Sequence, residues 1–341
     1  MPALGDIWFV LVGVLLLGYA LLDGFDLGAG ILHPFVARTD PERRAVMRSI
    51  GPVWDGNEVW LLTAGGALFA AFPMVYATVF SGFYLALILL LAALIFRAVA
   101  LEFRDQLPGT GWRRAWDVAF FLGSLLPALL LGVAVGNIVR GLPLDADGLY
   151  HGGLVGLLTP LPLVIGLLVV AFTITHGAAW LLLKNEGPIA ARSRAAALGG
   201  WLALAILWLA ATLAAWALAP DRWEPFGSPL AWLAPGVVVV GLVAFPVLVR
   251  AGRAGLALVA SGLSMAGMIA TLGIGLYPNL VPALDTPERS LTISNAASSQ
   301  LTLGVMLGIA LVGVPIVLAY TAAIYWRFRG VVRLDEEGYG H

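Results

Sequence analysis

Six ionisable residues sit where an apolar chain can least easily hold them. Asp23 and Asp26 interrupt Leu22-Asp23-Gly24-Phe25-Asp26-Leu27-Gly28, and Asp55 and Glu58 interrupt Trp54-Asp55-Gly56-Asn57-Glu58-Val59-Trp60. Arg97 ends a long apolar run, with Glu102 five residues beyond it. Each acidic pair is three apart, so on a helix each pair occupies one face. Carboxylates gathered around one guanidinium inside lipid can do two kinds of work. They can pass protons among themselves directly or through one bridging water. They can also form a hydrated salt-bridge network that locks helices together. One Asp or Arg at a bilayer centre costs roughly 2.5–3.5 kcal/mol on insertion scales. The buried groups must therefore face protein or water, and Arg97 is the countercharge. Ionisable groups inside a membrane point to function by default, and both readings stay open on the residues alone.

Other chemistries find little support. There is no cysteine among the 341 residues, which excludes disulfides, thiolate catalysis and iron–sulfur ligation. The four histidines are His33, His151, His176 and His341. His33 and His151 fall at or beyond the ends of apolar stretches and His341 is the last residue, which leaves His176 as the intramembrane one. A bis-histidine haem needs two on facing helices, so His176 reads as a hydrogen-bonded packing residue. No metal-ligand spacing occurs, no strand precedes a glycine-rich phosphate loop, and no strands are expected at all. No basic, aromatic-interleaved stretch suggests nucleic acid. Trp54 and Trp60 read as interfacial anchors.

The elements that must position the polar residues are membrane helices. The chain is 60% hydrophobic and 11% charged, against about 25% charged in a soluble domain. Its apolar stretches match a hydrocarbon layer about 30 Å thick, and lipid leaves backbone groups no partners outside a helix or a closed barrel. The pattern predicts an all-α integral membrane protein of about nine transmembrane helices: 7–32, 53–73, 76–101, 116–139, 154–183, 195–219, 231–249, 254–277 and 301–326. The second and third join at Phe72-Pro73-Met74. Alternate loops hold fifteen of the nineteen basic residues, among them Arg43, Arg44, Arg104, Arg113, Lys184, Arg192, Arg250 and Arg327. The other loops hold only Arg140, Arg222 and Arg289. Cytoplasmic loops retain basic residues, so the N-terminus is expected outside and the C-terminus in the cytoplasm. Asp26 lies seven positions before His33, about 10 Å of helix. This topology brings the carboxylates of the first three spans to the cytoplasmic side. Gly24 with Gly28, and Gly132 with Gly136, are spaced for close helix approach. Asp26-Leu27-Gly28-Ala29 is faintly echoed by Thr175-His176-Gly177-Ala178.

Several of these segments together resemble subunit II of the cytochrome bd quinol oxidases. The resemblance is densest at Leu22 to Gly28, Asp40-Pro41-Glu42-Arg43-Arg44, Trp54 to Leu61 and Thr63 to Tyr76. It continues at Ser81-Gly82-Phe83-Tyr84, Phe96-Arg97 and Ser298-Ser299-Gln300-Leu301-Thr302-Leu303. It implies one polytopic domain over 1–341, built as two four-helix bundles plus one extra helix. The first bundle, 1–140, would carry the polar cluster, and 141–341 the second bundle and the extra helix. It also implies a heterodimer with subunit I, which would hold haem b and haem d and oxidise quinol, with small accessory membrane subunits, lipid and quinone as further partners. The haem-poor subunit II would stabilise subunit I. The family's cytoplasmic proton route falls here on Asp55, Asp26 and Arg97, with Asp23, Glu102 and Glu58 beside them. Two other readings of the residues are a proton-coupled secondary transporter and a purely structural scaffold subunit.

Overall fold

The computed structural model describes residues 4–333, so His341 lies outside the described residues. Helix α1 (Leu4–Val36) is followed by the short polar helix α2 (Asp40–Ile50), then α3 (Trp54–Ala71), α4 (Pro73–Gly82) and α5 (Tyr84–Phe103). Helices α6 (Thr110–Arg140), α7 (Gly153–Leu157), α8 (Pro160–Lys184) and α9 (Gly187–Leu218) come next. Helices α10 (Leu233–Arg250), α11 (Ala254–Leu276) and α12 (Gln300–Arg327) complete the chain.

Eight of these segments are long and apolar enough to cross a membrane. The eight do not include α3, since its 18 residues carry Asp55, Asn57 and Glu58. The expected third span is also divided. The chain leaves helical geometry at Phe83, directly after Ser81-Gly82, and restarts as α5. In the same way Leu158 and Thr159 separate α7 from α8, where Pro160 and Pro162 favour a fresh helix start.

Helix α1 runs through the middle of the molecule and packs against α3, α6, α8 and α11. Its crossing with α8 depends on missing side chains. A methyl group at Gly28 would sit 1.9 Å from the Thr173 carbonyl oxygen, and one at Gly177 would sit 2.5 Å from the Gly28 carbonyl carbon. The faint echo between these two segments is thus a place where two backbones touch. Gly132 and Gly136 do the same for α6 against α8, meeting Gly166 and Pro162.

The main apolar core lies at the end of the bundle that carries the basic loops. Phe25, Leu32, Ile50, Trp180, Leu181, Phe245 and Val249 are all buried there. Helix α2 starts with a capping box: Thr39 Oγ1 accepts from the Glu42 N–H, and Glu42 Oε2 accepts from the Thr39 N–H at 3.1 Å. The opposite end is closed by the segment between α11 and α12. Contrary to expectation it contains a short antiparallel pair, β1 (Asn279–Val281) with β2 (Leu291–Thr292). Ser298 then donates from its N–H to Ala71 O at 2.8 Å and from its hydroxyl to Ala70 O at 2.6 Å. Those bonds satisfy carbonyls that the end of α3 would leave open. Ser299 caps α12, accepting from the Thr302 N–H at 3.1 Å. Within α12 only Leu303 is buried, so most of that helix offers an apolar surface outward.

Candidate functional site

The polar cluster assembles from four helices. Asp23 and Asp26 share one face of α1, and both are fully buried. Arg97 reaches them from α5, also with no exposed surface. Its Nη1 donates to Asp23 Oδ2 at 3.0 Å and its Nη2 to Asp23 Oδ1 at 2.5 Å, a two-pronged grip on one carboxylate. Asp26 stands farther off, 4.0 Å from Nη2. Its nearer partner is Asn57 of α3, whose amide Nδ2 donates to Asp26 Oδ2 at 2.7 Å. The same nitrogen lies 3.2 Å from Leu22 O. Asn57 Oδ1 accepts from the hydroxyl of Tyr325, on α12, at 2.9 Å. Asp26 Oδ1 and Arg97 Nε are buried without a hydrogen-bond partner.

The remaining expected residues are arranged differently. Glu58 is half-buried one turn along α3 from Asp55, within the electrostatic reach of Arg97, Asp23 and Asp55. Asp55 is exposed near the start of α3. Glu102 is exposed near the end of α5, where its backbone carbonyl accepts from the Gln106 side chain. The structure therefore gathers Asp23, Asp26 and Arg97 tightly, keeps Glu58 beside them, and leaves Asp55 and Glu102 at the surface.

A second charged network lies two turns farther along α5. Arg104 is 1% exposed, and its side chain is fully engaged. Nε donates to Asp117 Oδ1 at 2.6 Å, Nη1 to Asp105 Oδ1 at 2.9 Å and Nη2 to Asp40 Oδ1 at 2.8 Å. Arg43 holds the other oxygen of Asp117 at 2.6 Å, and Arg44 and Arg113 share Asp40 Oδ2 at 2.9 and 3.2 Å. Burial pushes the Asp40 carboxyl up, but the Arg104 hydrogen bond and the charges of Arg104, Arg44 and Arg113 outweigh it and hold it below the usual range. Glu42 follows the same logic. The Arg38 N–H, Arg192 and the Thr39 N–H outweigh burial and hold it low.

One sequence reading is refined here and one is corrected. His33 lies in the last turn of α1, as expected, but it is fully buried, edge-on to Phe120 and 3.6 Å from Asp117 Oδ1. Trp60 is no interfacial anchor, because it fills the notch left by Gly18 and packs with Leu15 and Tyr19. Asn57, Asp117 and Tyr325 were missed as site residues. Asn57 sat within a quoted motif and Asp117 at the edge of a predicted span, but nothing in the spacing of Tyr325 pointed to Asn57.

His176 and His151 are both engaged by protein partners. His176 Nδ1 lies 2.7 Å from Ser261 Oγ and Nε2 lies 2.9 Å from Leu21 O, so both ring nitrogens are occupied. His151 is exposed and paired with Asp145 at 2.7 Å. Among the described residues no group of three His, Cys, Asp or Glu side chains could hold a metal ion.

The whole chain has known counterparts. A family model described as cytochrome bd terminal oxidase subunit II matches residues 4–328. Subunit 2 of the cytochrome bd-I ubiquinol oxidase of Escherichia coli strain K12 is 41% identical, covering 97% of this chain and 95% of that protein. Subunit 2 of the cytochrome bd ubiquinol oxidase of Bacillus subtilis is 35% identical, covering 96% of this chain and 97% of its own. A chain from the structure of the bd oxidase of Geobacillus thermodenitrificans superposes with a TM-score of 0.75 at 20% identity, over 95% of this chain and 98% of that one. That last likeness is one of fold.

Proposed function

The chain belongs to the cytochrome bd terminal oxidase subunit II family, and on that premise we propose what it contributes to such an oxidase in the cytoplasmic membrane. It is the haem-poor partner of subunit I in a quinol:oxygen oxidoreductase of aerobic respiration. Haem b, haem d and the quinol site belong to subunit I. That assignment suits a chain in which both ring nitrogens of His176 are occupied. Nine spans, with α3 crossing alongside the eight apolar segments, place the N-terminus outside and the C-terminus in the cytoplasm. The break after Arg140 divides a first bundle (1–140) from a second bundle plus α12 (141–341).

The residues' own part is proton uptake. Each dioxygen reduced to two waters takes four electrons from two quinols and four protons from solution. Drawing those protons from the cytoplasm, while quinol releases its own outside, builds a membrane potential without a pump. The observation that carries this reading is the surplus carboxylate. Arg97 balances Asp23 by gripping both its oxygens, which leaves Asp26 buried with one oxygen unengaged. A buried carboxylate without its own countercharge is costly, and taking a proton on that oxygen restores the balance. Asp55, exposed at the start of α3, is the collecting point, and Glu58 stands between it and the Arg97 cluster. Glu102 adds negative charge at the same mouth.

The Asp55→Asn variant of the assembled oxidase tests this. Oxygen consumption should slow with haem content unchanged. Wild-type consumption at normal haem content would take Asp55 off the route. The Arg104 network supports a second contribution, rigid support for subunit I. Neutralising Asp26 with full turnover retained would leave that as the chain's only role.

A further inference from the structure

We propose that Asn57 and Tyr325 are positioning residues that confine the exchangeable proton of Asp26 to a single oxygen, Oδ1; this deepens the proton-route reading and names the parts of the chain that aim it. The argument starts from the amide. Leu22 O is a backbone carbonyl and can only accept, so the atom of Asn57 at 3.2 Å from it must be the nitrogen. That fixes the amide's orientation without reference to any other contact. The same nitrogen faces Asp26 Oδ2 at 2.7 Å. An amide N–H only donates, so Oδ2 must accept, and it does so whether Asp26 is neutral or ionised. A proton bound to Asp26 therefore belongs on Oδ1, the oxygen with no protein partner.

The other end of the amide closes the clamp. With nitrogen toward Asp26 and Leu22, Oδ1 of Asn57 faces Tyr325, 2.9 Å away, and the phenol must donate. A flipped amide would place N–H against the tyrosine oxygen, but it would also place a carbonyl against Leu22 O and against Asp26 Oδ2. Both are acceptor–acceptor contacts in a buried site, where unmet polar groups are expensive. Tyr325 is itself held by rings, edge-on to Phe25 at 6.4 Å and to Trp180 at 6.0 Å. It comes from α12, a helix otherwise almost wholly exposed. The last helix thus sets which oxygen of a residue on the first helix carries the proton.

Infrared spectroscopy of the assembled, haem-loaded oxidase reads this directly. A pH jump on the resting complex gives the C=O stretch of protonated Asp26, identified as the band that Asp26→Asn removes. With the proton on Oδ1, the C=O oxygen is Oδ2, which accepts from Asn57. Asn57→Leu should then move the band to higher wavenumber, because the carbonyl loses its donor. Tyr325→Phe keeps the ring contacts and should broaden and shift the same band, with the pH profile of oxygen consumption displaced and haem content unchanged. If Asn57→Leu does not assemble, Tyr325→Phe decides. An unmoved band, or no Asp26 band at any pH, overturns the proposal, and a loss of thermal stability alone would mark both residues as structural. The band is read without turnover, so a shifted band alongside full activity in Asp26→Asn would keep the clamp and remove the proton route.

Discussion

Arg97 and Arg104 lie seven residues apart at one end of α5, and both are buried among aspartates, yet their surroundings are opposite in character. Around Arg104, three carboxylates, Asp40, Asp105 and Asp117, meet four guanidinium groups, those of Arg43, Arg44, Arg104 and Arg113. Cations are in excess, and Arg104 uses Nε and both terminal nitrogens. Around Arg97, the acids outnumber the base. Asp23 takes both terminal nitrogens, while Asp26 Oδ1 and Arg97 Nε are left without partners. A network with surplus cations has no use for a proton. One with a surplus buried carboxylate gains charge balance by binding one. On the proposed reading, identical residue types make a lock in one place and a proton acceptor in the other, and counting charges and open hydrogen-bond sites separates them.

Breaking the inner cluster should have the larger effect on activity. Arg97→Met leaves Asp23 and Asp26 facing each other with no cation, and turnover per haem should fall by about a hundredfold, within the range of a lost acid–base group. Oxygen consumption by the purified complex measures it. Arg104→Met should act on stability instead. Removing one partner of a buried ionic network costs about 3–5 kcal/mol, seen as a lower thermal midpoint, with turnover per assembled haem close to wild type. A comparable loss of turnover in both variants would erase the distinction.

A smaller effect is expected where neither cluster is touched. Gly28→Ala forces α1 away from α8, because its methyl would overlap Thr173 O. Such crowding costs about 1–3 kcal/mol, which thermal unfolding of the complex would register. Smallest is the response to acid. Asp40 and Glu42 lie in α2, outside the membrane spans, and their arginine and backbone partners hold both carboxyls low against the upward push of burial. Carboxyls held low in the folded state contribute fully above their unfolded values, near 3.9 for Asp and 4.3 for Glu. That contribution is lost as pH falls through the folded values. The protection of α2 amides against hydrogen exchange, relative to their intrinsic rates, should therefore fall below about pH 4, while the core around Phe245 and Val249 stays protected. Asp40→Asn should abolish part of that acid response.

Much of this arrangement was legible in the residues, and the rest was hidden for physical reasons. The apolar stretches and alternating basic loops mark most of the helices, because lipid thickness and backbone hydrogen bonding leave few alternatives. The three-residue spacing of Asp23 and Asp26 places both on one face, and the structure puts Arg97 there. Asp55 and Glu58 have the same spacing on α3, but that helix turns Asn57 inward and leaves Asp55 exposed. Which face of a polar helix points inward is decided by neighbours such as Leu22 and Tyr325, distant in the chain. The break at Phe83 was invisible because Ser81-Gly82-Phe83 differs little from sequences that continue a membrane helix. His33 is terminal in α1 as its position suggests, but its complete burial depends on Phe120 and Asp117 of α6, distant in the chain.

Proton uptake during oxygen reduction by the Asp26→Asn variant tests the central claim most directly. With fully reduced, assembled oxidase mixed with dioxygen and a pH-indicator dye outside, uptake from the cytoplasmic face should slow by at least tenfold while haem content and spectrum stay those of wild type. Uptake at the wild-type rate in that variant would contradict the account and leave the buried carboxylates with a purely structural role.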